Sequence, residues 1–119
     1  MNDRLTLNEL NQGYYFHDSI LNRIEYAHKE LKMYCTFCEF LQEDYDESEY
    51  ANSDIIVVFH NASYTITDCS LIEDSSFLTQ ELQDKTISFF LCQNMCNEYG
   101  HLIVKAESVD VIKVRYYNL

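Results

Sequence analysis

The sequence contains no proline, no tryptophan and only two glycines. Chains rich in β-structure usually turn on proline, which presets φ, or on glycine, which reaches positive φ without strain. Here Asn, Asp and His have to carry the turns, because their short polar side chains tolerate the left-handed region best. Positive charge is scarce as well. Eight Lys and Arg stand against 20 Asp and Glu, a formal net charge of −12. Such a field repels phosphate backbones and argues against nucleic-acid binding. It attracts a basic protein partner and speeds the encounter. No apolar run reaches the ~18 residues of a membrane span. The start, Met1-Asn2-Asp3-Arg4, has neither the basic residues nor the apolar core of a signal peptide. A cytoplasmic protein without membrane association is expected.

Glycine is too rare for a phosphate-cradling loop, and no serine has the flanking glycines of a nucleophile elbow. Five cysteines make an odd count, which fits reduced thiols better than a disulfide framework. What the chain does have is apolar content, 47% of 119 residues, too much for disorder. A chain of this length buries roughly two thirds of the surface its unfolded form exposes. Residues 1–119 are therefore expected to form a single domain that needs no metal or disulfide to fold.

Thr6 and Glu9 have capping-box spacing ahead of a short helix that Gly13 would end. Ile20 to Ala27 and Leu31 to Leu41 look like a hairpin joined at His28-Lys29-Glu30. In the second run Leu31, Met33, Cys35 and Phe37 alternate with Lys32, Tyr34, Thr36 and Cys38, the period of a half-buried strand. The alternation falters at Glu39-Phe40, where a bulge would return Phe40 to the core face. Asp54 to Phe59 is apolar on both faces, as in a central strand covered on both sides. Asn61-Ala62-Ser63 supplies a turn towards a partner strand containing Tyr64 and Ile66. Ser70 to Lys85 has helical spacing at Phe77, Leu78, Glu81 and Leu82 and fits either a short helix or an irregular crossover. Thr86 to Cys92, Leu102 to Ala106 and Val109 to Tyr116 complete the strands, the last two as a hairpin around Glu107-Ser108. The fold class is mainly β: about seven antiparallel strands in a sandwich or curled sheet, with one or two short helices.

Four thiols at Cys35-x-x-Cys38 and Cys92-x-x-x-Cys96 could in principle hold zinc. However, Cys35 and Cys38 lie in a strand pattern that sends them to opposite faces. Buried thiols acting as small hydrophobes are expected instead. His17, Asp18, His60 and His101 would form a metal or acid–base site only if the sheet brought them together. Otherwise Asp18 or Ser19 caps a turn and His17 packs over the sheet edge. The most distinctive surface stretch runs from Gln42 to Ser53. Its carboxylates Glu43, Asp44, Asp46, Glu47 and Glu49 surround Tyr45 and Tyr50. These acids would pair with Lys or Arg of a partner, and the two tyrosines would anchor the contact.

The order of Phe16-His17-Asp18, Ile20, Ile24-Glu25-Tyr26, the alternating run Leu31 to Phe37, a polar loop, Ile55 to Phe59 and Val109 to Val114 resembles a known pattern. Small β-rich bacterial domains among the immunity proteins of polymorphic toxin systems, and related uncharacterised families, show this order. The resemblance spans about Tyr14 to Tyr116. It implies a non-enzymatic inhibitor that binds a cognate toxin, needs no cofactor, and uses Phe16, His17, Asp18, Ile55, Val57 and Phe59 as scaffold. Asn61 stands where such proteins often carry Gly, and the cysteines and dense acidic loop lie outside the pattern. The alternative is a small metal-binding protein or hydrolase built on His17, Asp18, His60 and His101.

Overall fold

The structure, a computed structural model, describes residues 4–39, 42, 52–69, 72–95 and 97–117, with the side chains of 115–117 left undescribed. Among these residues one helix, α1 (Leu7–Gly13), precedes eight strands. They are β1 (Ile20–Ala27), β2 (Glu30–Cys38), β3 (Asn52–His60), β4 (Ser63–Thr67), β5 (Ser75–Gln83), β6 (Thr86–Gln93), β7 (Tyr99–Lys105) and β8 (Ser108–Tyr117). All pair antiparallel in one sheet of order β4-β7-β6-β5-β1-β2-β3-β8. The expected β-rich class holds, with one strand more than the pattern suggested.

Helix α1 begins as its cap dictates. The Glu9 N–H donates to Thr6 Oγ1 at 3.0 Å, and the Thr6 N–H donates to the Glu9 carboxylate at 2.9 Å. Gly13 is its last residue but does not turn left-handed; extended Tyr14 caps it and donates to the Leu10 carbonyl. Leu7 and Leu10 bury the inner face.

Turn chemistry follows the composition. The positive-φ residues are Asp18, His28, Lys29, Asn61, Asp68, Asp74, Asp84 and Asn97, and no glycine is among them. His28 and Lys29, at φ 52° and 61°, make the two-residue turn whose twist suits a hairpin.

The sheet falls into two four-stranded halves that meet at β1 and β5 through only two residue pairs, Ile20 with Ser76 and Leu21 with Ser75. The segment before β1 reinforces this seam. The Asp18 N–H donates to the Phe77 carbonyl at 3.0 Å, and the Phe77 N–H donates to the Ser19 carbonyl at 2.9 Å. The Phe16 ring lies 5.4 Å from Phe37 of β2, 5.2 Å from Phe77 of β5 and 5.4 Å from Phe89 of β6. It is 1% exposed and touches both halves from the middle of the core. Two glutamines bind the backbone around it. The Phe16 N–H donates to Gln80 Oε1, while Gln80 Nε2 donates to Asn11 Oδ1 and the Tyr14 carbonyl. Gln42 exchanges two bonds with Tyr15, N–H to Oε1 at 2.8 Å and Nε2 to carbonyl at 2.7 Å. An amide side chain thus stands in for a neighbouring strand.

Several expectations are corrected. Within the stretch from Ser70 to Lys85, where a short helix or irregular crossover was expected, Ser75–Gln83 forms strand β5. A bulge between Phe77 and Thr79 shifts the side-chain phase, so Phe77 and Leu82 share the core face at an odd spacing that imitates a helix. β4 pairs with β7 rather than with β3. β7 and β8 do not form a hairpin: Ala106 and Glu107 donate to the Lys85 and His60 carbonyls and carry the chain to the opposite sheet edge. On the outer face of β3, Val58 is buried and Ile56 is half-buried between Tyr34 and Ile112. β2 ends at Cys38, and Phe40, the residue expected to follow a bulge, lies outside the described residues.

Phe16→Ala should cost about 3–5 kcal/mol, the usual range for emptying a buried phenyl site, measured by urea unfolding. A loss under about 1 kcal/mol would contradict the bridging role. The two glycines should respond with opposite sign. A Cβ on Gly13 meets nothing within 4 Å, so Gly13→Ala should stabilise by about 0.5–1 kcal/mol. A Cβ on Gly100 would collide with Cys69 Sγ and come 2.8 Å from the Thr67 carbonyl, so Gly100→Ala should destabilise. Thermal melts of both variants check the pair.

Candidate functional site

Antiparallel strands give the molecule two ends of different character. At one end, tight turns join the strands at His28-Lys29, Asn61-Ala62, Asp84-Lys85 and Ala106-Glu107. At the other the chain enters β1 and passes from β2 to β3, from β4 to β5 and from β6 to β7, and the sequences of these four connections (14–19, 39–51, 68–74 and 94–98) hold eleven of the 20 carboxylates and no Lys or Arg. Two hydrogen bonds hold the β4–β5 and β6–β7 connections together: the Asn94 N–H donates to the Asp74 carbonyl at 3.1 Å, and the buried Gln93 Nε2 donates to the Glu73 carbonyl at 2.9 Å. Asp18, Asp68, Glu73, Asp74 and Glu98 are exposed here. The expected partner-binding residues Glu43, Asp44, Tyr45, Asp46, Glu47, Glu49 and Tyr50 lie outside the described residues. Their segment leaves the sheet at Cys38 and returns at Asn52, and these two residues pair at the acidic end. At its root Glu39 meets Lys113 at 3.1 Å and accepts from Ser53 Oγ.

The histidines do not converge. His17 is at the acidic end, where Nδ1 donates to the Leu78 carbonyl at 2.7 Å and the ring stacks on Tyr15. Asp18 approaches it at 3.5 Å. His101 packs against Phe90 at 4.8 Å, with Asp68 at 3.8 Å. His60 is at the far end of its strand. Its Nε2 meets Asp110 at 2.8 Å and its Nδ1 meets Glu30 at 3.3 Å. With a carboxylate on each nitrogen, this imidazole links β2, β3 and β8 and offers no free position to a substrate. The Glu30 and Asp110 contacts escape sequence reasoning, because they depend on residues 30, 60 and 110 of three strands sharing one face.

The cysteines behave as packing groups. Cys35 and Cys38 are buried, Cys69 and Cys92 are half-buried, and Cys96 lies outside the described residues. Among the described residues no group of three or more His, Cys, Asp or Glu could hold a metal. No described helix is long and apolar enough to cross a membrane.

The outer face of β1–β2–β3–β8 carries one further polar cluster. Arg23 lies 3.8 Å over the Tyr34 ring and 3.2 Å from Glu25. The Tyr34 hydroxyl donates to Glu25, and this bond, followed by the Arg23 contact, holds the carboxyl below its usual range. No known protein family, curated protein or solved structure matches the chain.

Burial pushes the Cys35 thiol well above the ordinary thiol range. A thiol whose pKa is raised by folding contributes stability that is complete below its unfolded pKa and is lost as pH climbs towards the folded value. Unfolding free energy should therefore fall as pH rises past about 8.5, and Cys35→Ala should flatten that alkaline slope. An unchanged slope would contradict the assignment.

Proposed function

We propose that this chain is a protein-binding domain, an immunity-type inhibitor that captures a basic cognate toxin on its acidic end. The observation that carries this proposal is the concentration of eleven carboxylates in four connections without one Lys or Arg. A surface of one sign raises the encounter rate with an oppositely charged partner and disfavours partners of like charge. The two Gln-bolted connections give this end a fixed base. The resemblance of the Phe16-His17-Asp18 segment and the following strands to immunity proteins of polymorphic toxin systems supports the same conclusion. In this proposal Glu43, Asp44, Asp46, Glu47 and Glu49 occupy cationic sites on the toxin, and Tyr45 and Tyr50 supply buried area. Where the toxin is a nuclease, those cationic sites are the ones meant for phosphates. Phe16, His17 and Asp18 act as scaffold.

The test is capture of partners on immobilised protein at low and high salt, repeated with all five of these acids changed to Lys. The expected outcome is a basic protein held at low salt, released at about 1 M salt where the Debye length is ~3 Å, and lost by the five-site variant. Retention of the same protein by that variant would overturn the proposal.

A further inference from the structure

The end opposite the long acidic connections holds a feature that the net charge hides. The tight turns there are bonded to one another: Ala62 N–H to the Lys29 carbonyl at 2.7 Å, Ala106 N–H to the Lys85 carbonyl at 3.1 Å, and the Tyr26 hydroxyl to the Ala62 carbonyl at 2.6 Å. They frame a cleft of about 500 Å³ lined by Tyr26, Lys29, Asn61, Lys85, Lys105 and Glu107 among others. Three of the eight cations in the chain thus line one opening. Among the described residues none of the three ammonium groups makes an ion pair, although carboxylates outnumber cations by more than two to one. A neighbouring hollow shares Lys85 and Lys105 and is lined also by Glu81 and Asp84. Glu107 is thus the one carboxylate lining the cleft itself. Like charges gathered this way repel, and a multiply charged anion relieves that repulsion.

One aromatic ring, Tyr26, lines the cleft with the lysines, and Tyr64 packs against that ring. Tyr26 is 43% exposed and meets Tyr64, 37% exposed, edge to face at 5.1 Å. The acidic connections lie a strand length away, about 20 Å for the seven residues of β7. The Debye length at physiological ionic strength is about 8 Å, so the far carboxylates little affect a small anion here, whereas an extended polyanion would meet both ends.

We propose that the cleft formed by Lys29, Lys85 and Lys105 binds a small phosphorylated ligand of the nucleotide class, with phosphates among the lysines and the base against Tyr26 and Tyr64. The proposal does not depend on the protein-binding function assigned to the opposite end.

The experiment is calorimetric titration of the full chain with ATP, AMP, adenosine and tripolyphosphate at low salt without added metal. The result expected is saturable single-site binding of ATP, weaker binding of AMP and tripolyphosphate, and none of adenosine. Lys85→Gln combined with Lys105→Gln should weaken ATP by about tenfold or more, with the thermal melt confirming that the exposed substitutions leave the fold intact. Tyr64→Leu, which keeps an apolar contact with Tyr26, should weaken ATP and leave tripolyphosphate unchanged. Absence of saturable binding by any phosphate, tripolyphosphate binding as tightly as ATP, or insensitivity to the lysine substitutions would each overturn the proposal.

Discussion

The fold depends on a seam that backbone pairing alone barely closes. β1 and β5 share two residue pairs, whereas β2 and β3 share eight. What joins the halves is the segment ahead of β1. Phe16 fills the space between Phe37, Phe77 and Phe89, and such pairs contribute about 0.5–1.5 kcal/mol each beyond the area they bury. The backbone that delivers Phe16 would otherwise leave polar groups unpaired near the core. Gln80 and Gln42 meet that requirement from either side. The left-handed turn at Asp18 then aims Ser19 at Phe77 and at Cys38, whose N–H donates to Ser19 Oγ at 2.8 Å.

Joining the sheet this way places every tight hairpin at one end and every long connection at the other. Short two-residue turns leave space for few side chains, and three lysines collect beside them. The sequences of the longer connections carry eleven of the 20 carboxylates. The net charge of −12 therefore describes a molecule whose two ends differ in charge.

Local signals were legible in the sequence and long-range ones were not. The Thr6–Glu9 box, the His28-Lys29 turn and the alternation from Leu31 to Phe37 each depend on neighbours within a few residues, and all three occur. β5 stayed ambiguous because one bulged residue rephases its apolar positions. The partners of β4 and β8 lie across the sheet, and no local pattern encodes them. His60 illustrates the same limit: its two carboxylates come from positions 30 and 110. The acidic stretch from Glu43 to Glu49 was evident from composition, but the pairing of Cys38 with Asn52 at its two flanks was not.

The most direct measurement on the seam is native-state hydrogen exchange at the Asp18 and Phe77 amides, which bridge the halves. If Phe16 and its glutamines unite the halves, both amides exchange only through global unfolding, with the same free energy as Met33 in one half and Phe89 in the other. Exchange at the seam through a smaller opening, while Met33 and Phe89 remain protected, would show two halves that hold together independently of this segment.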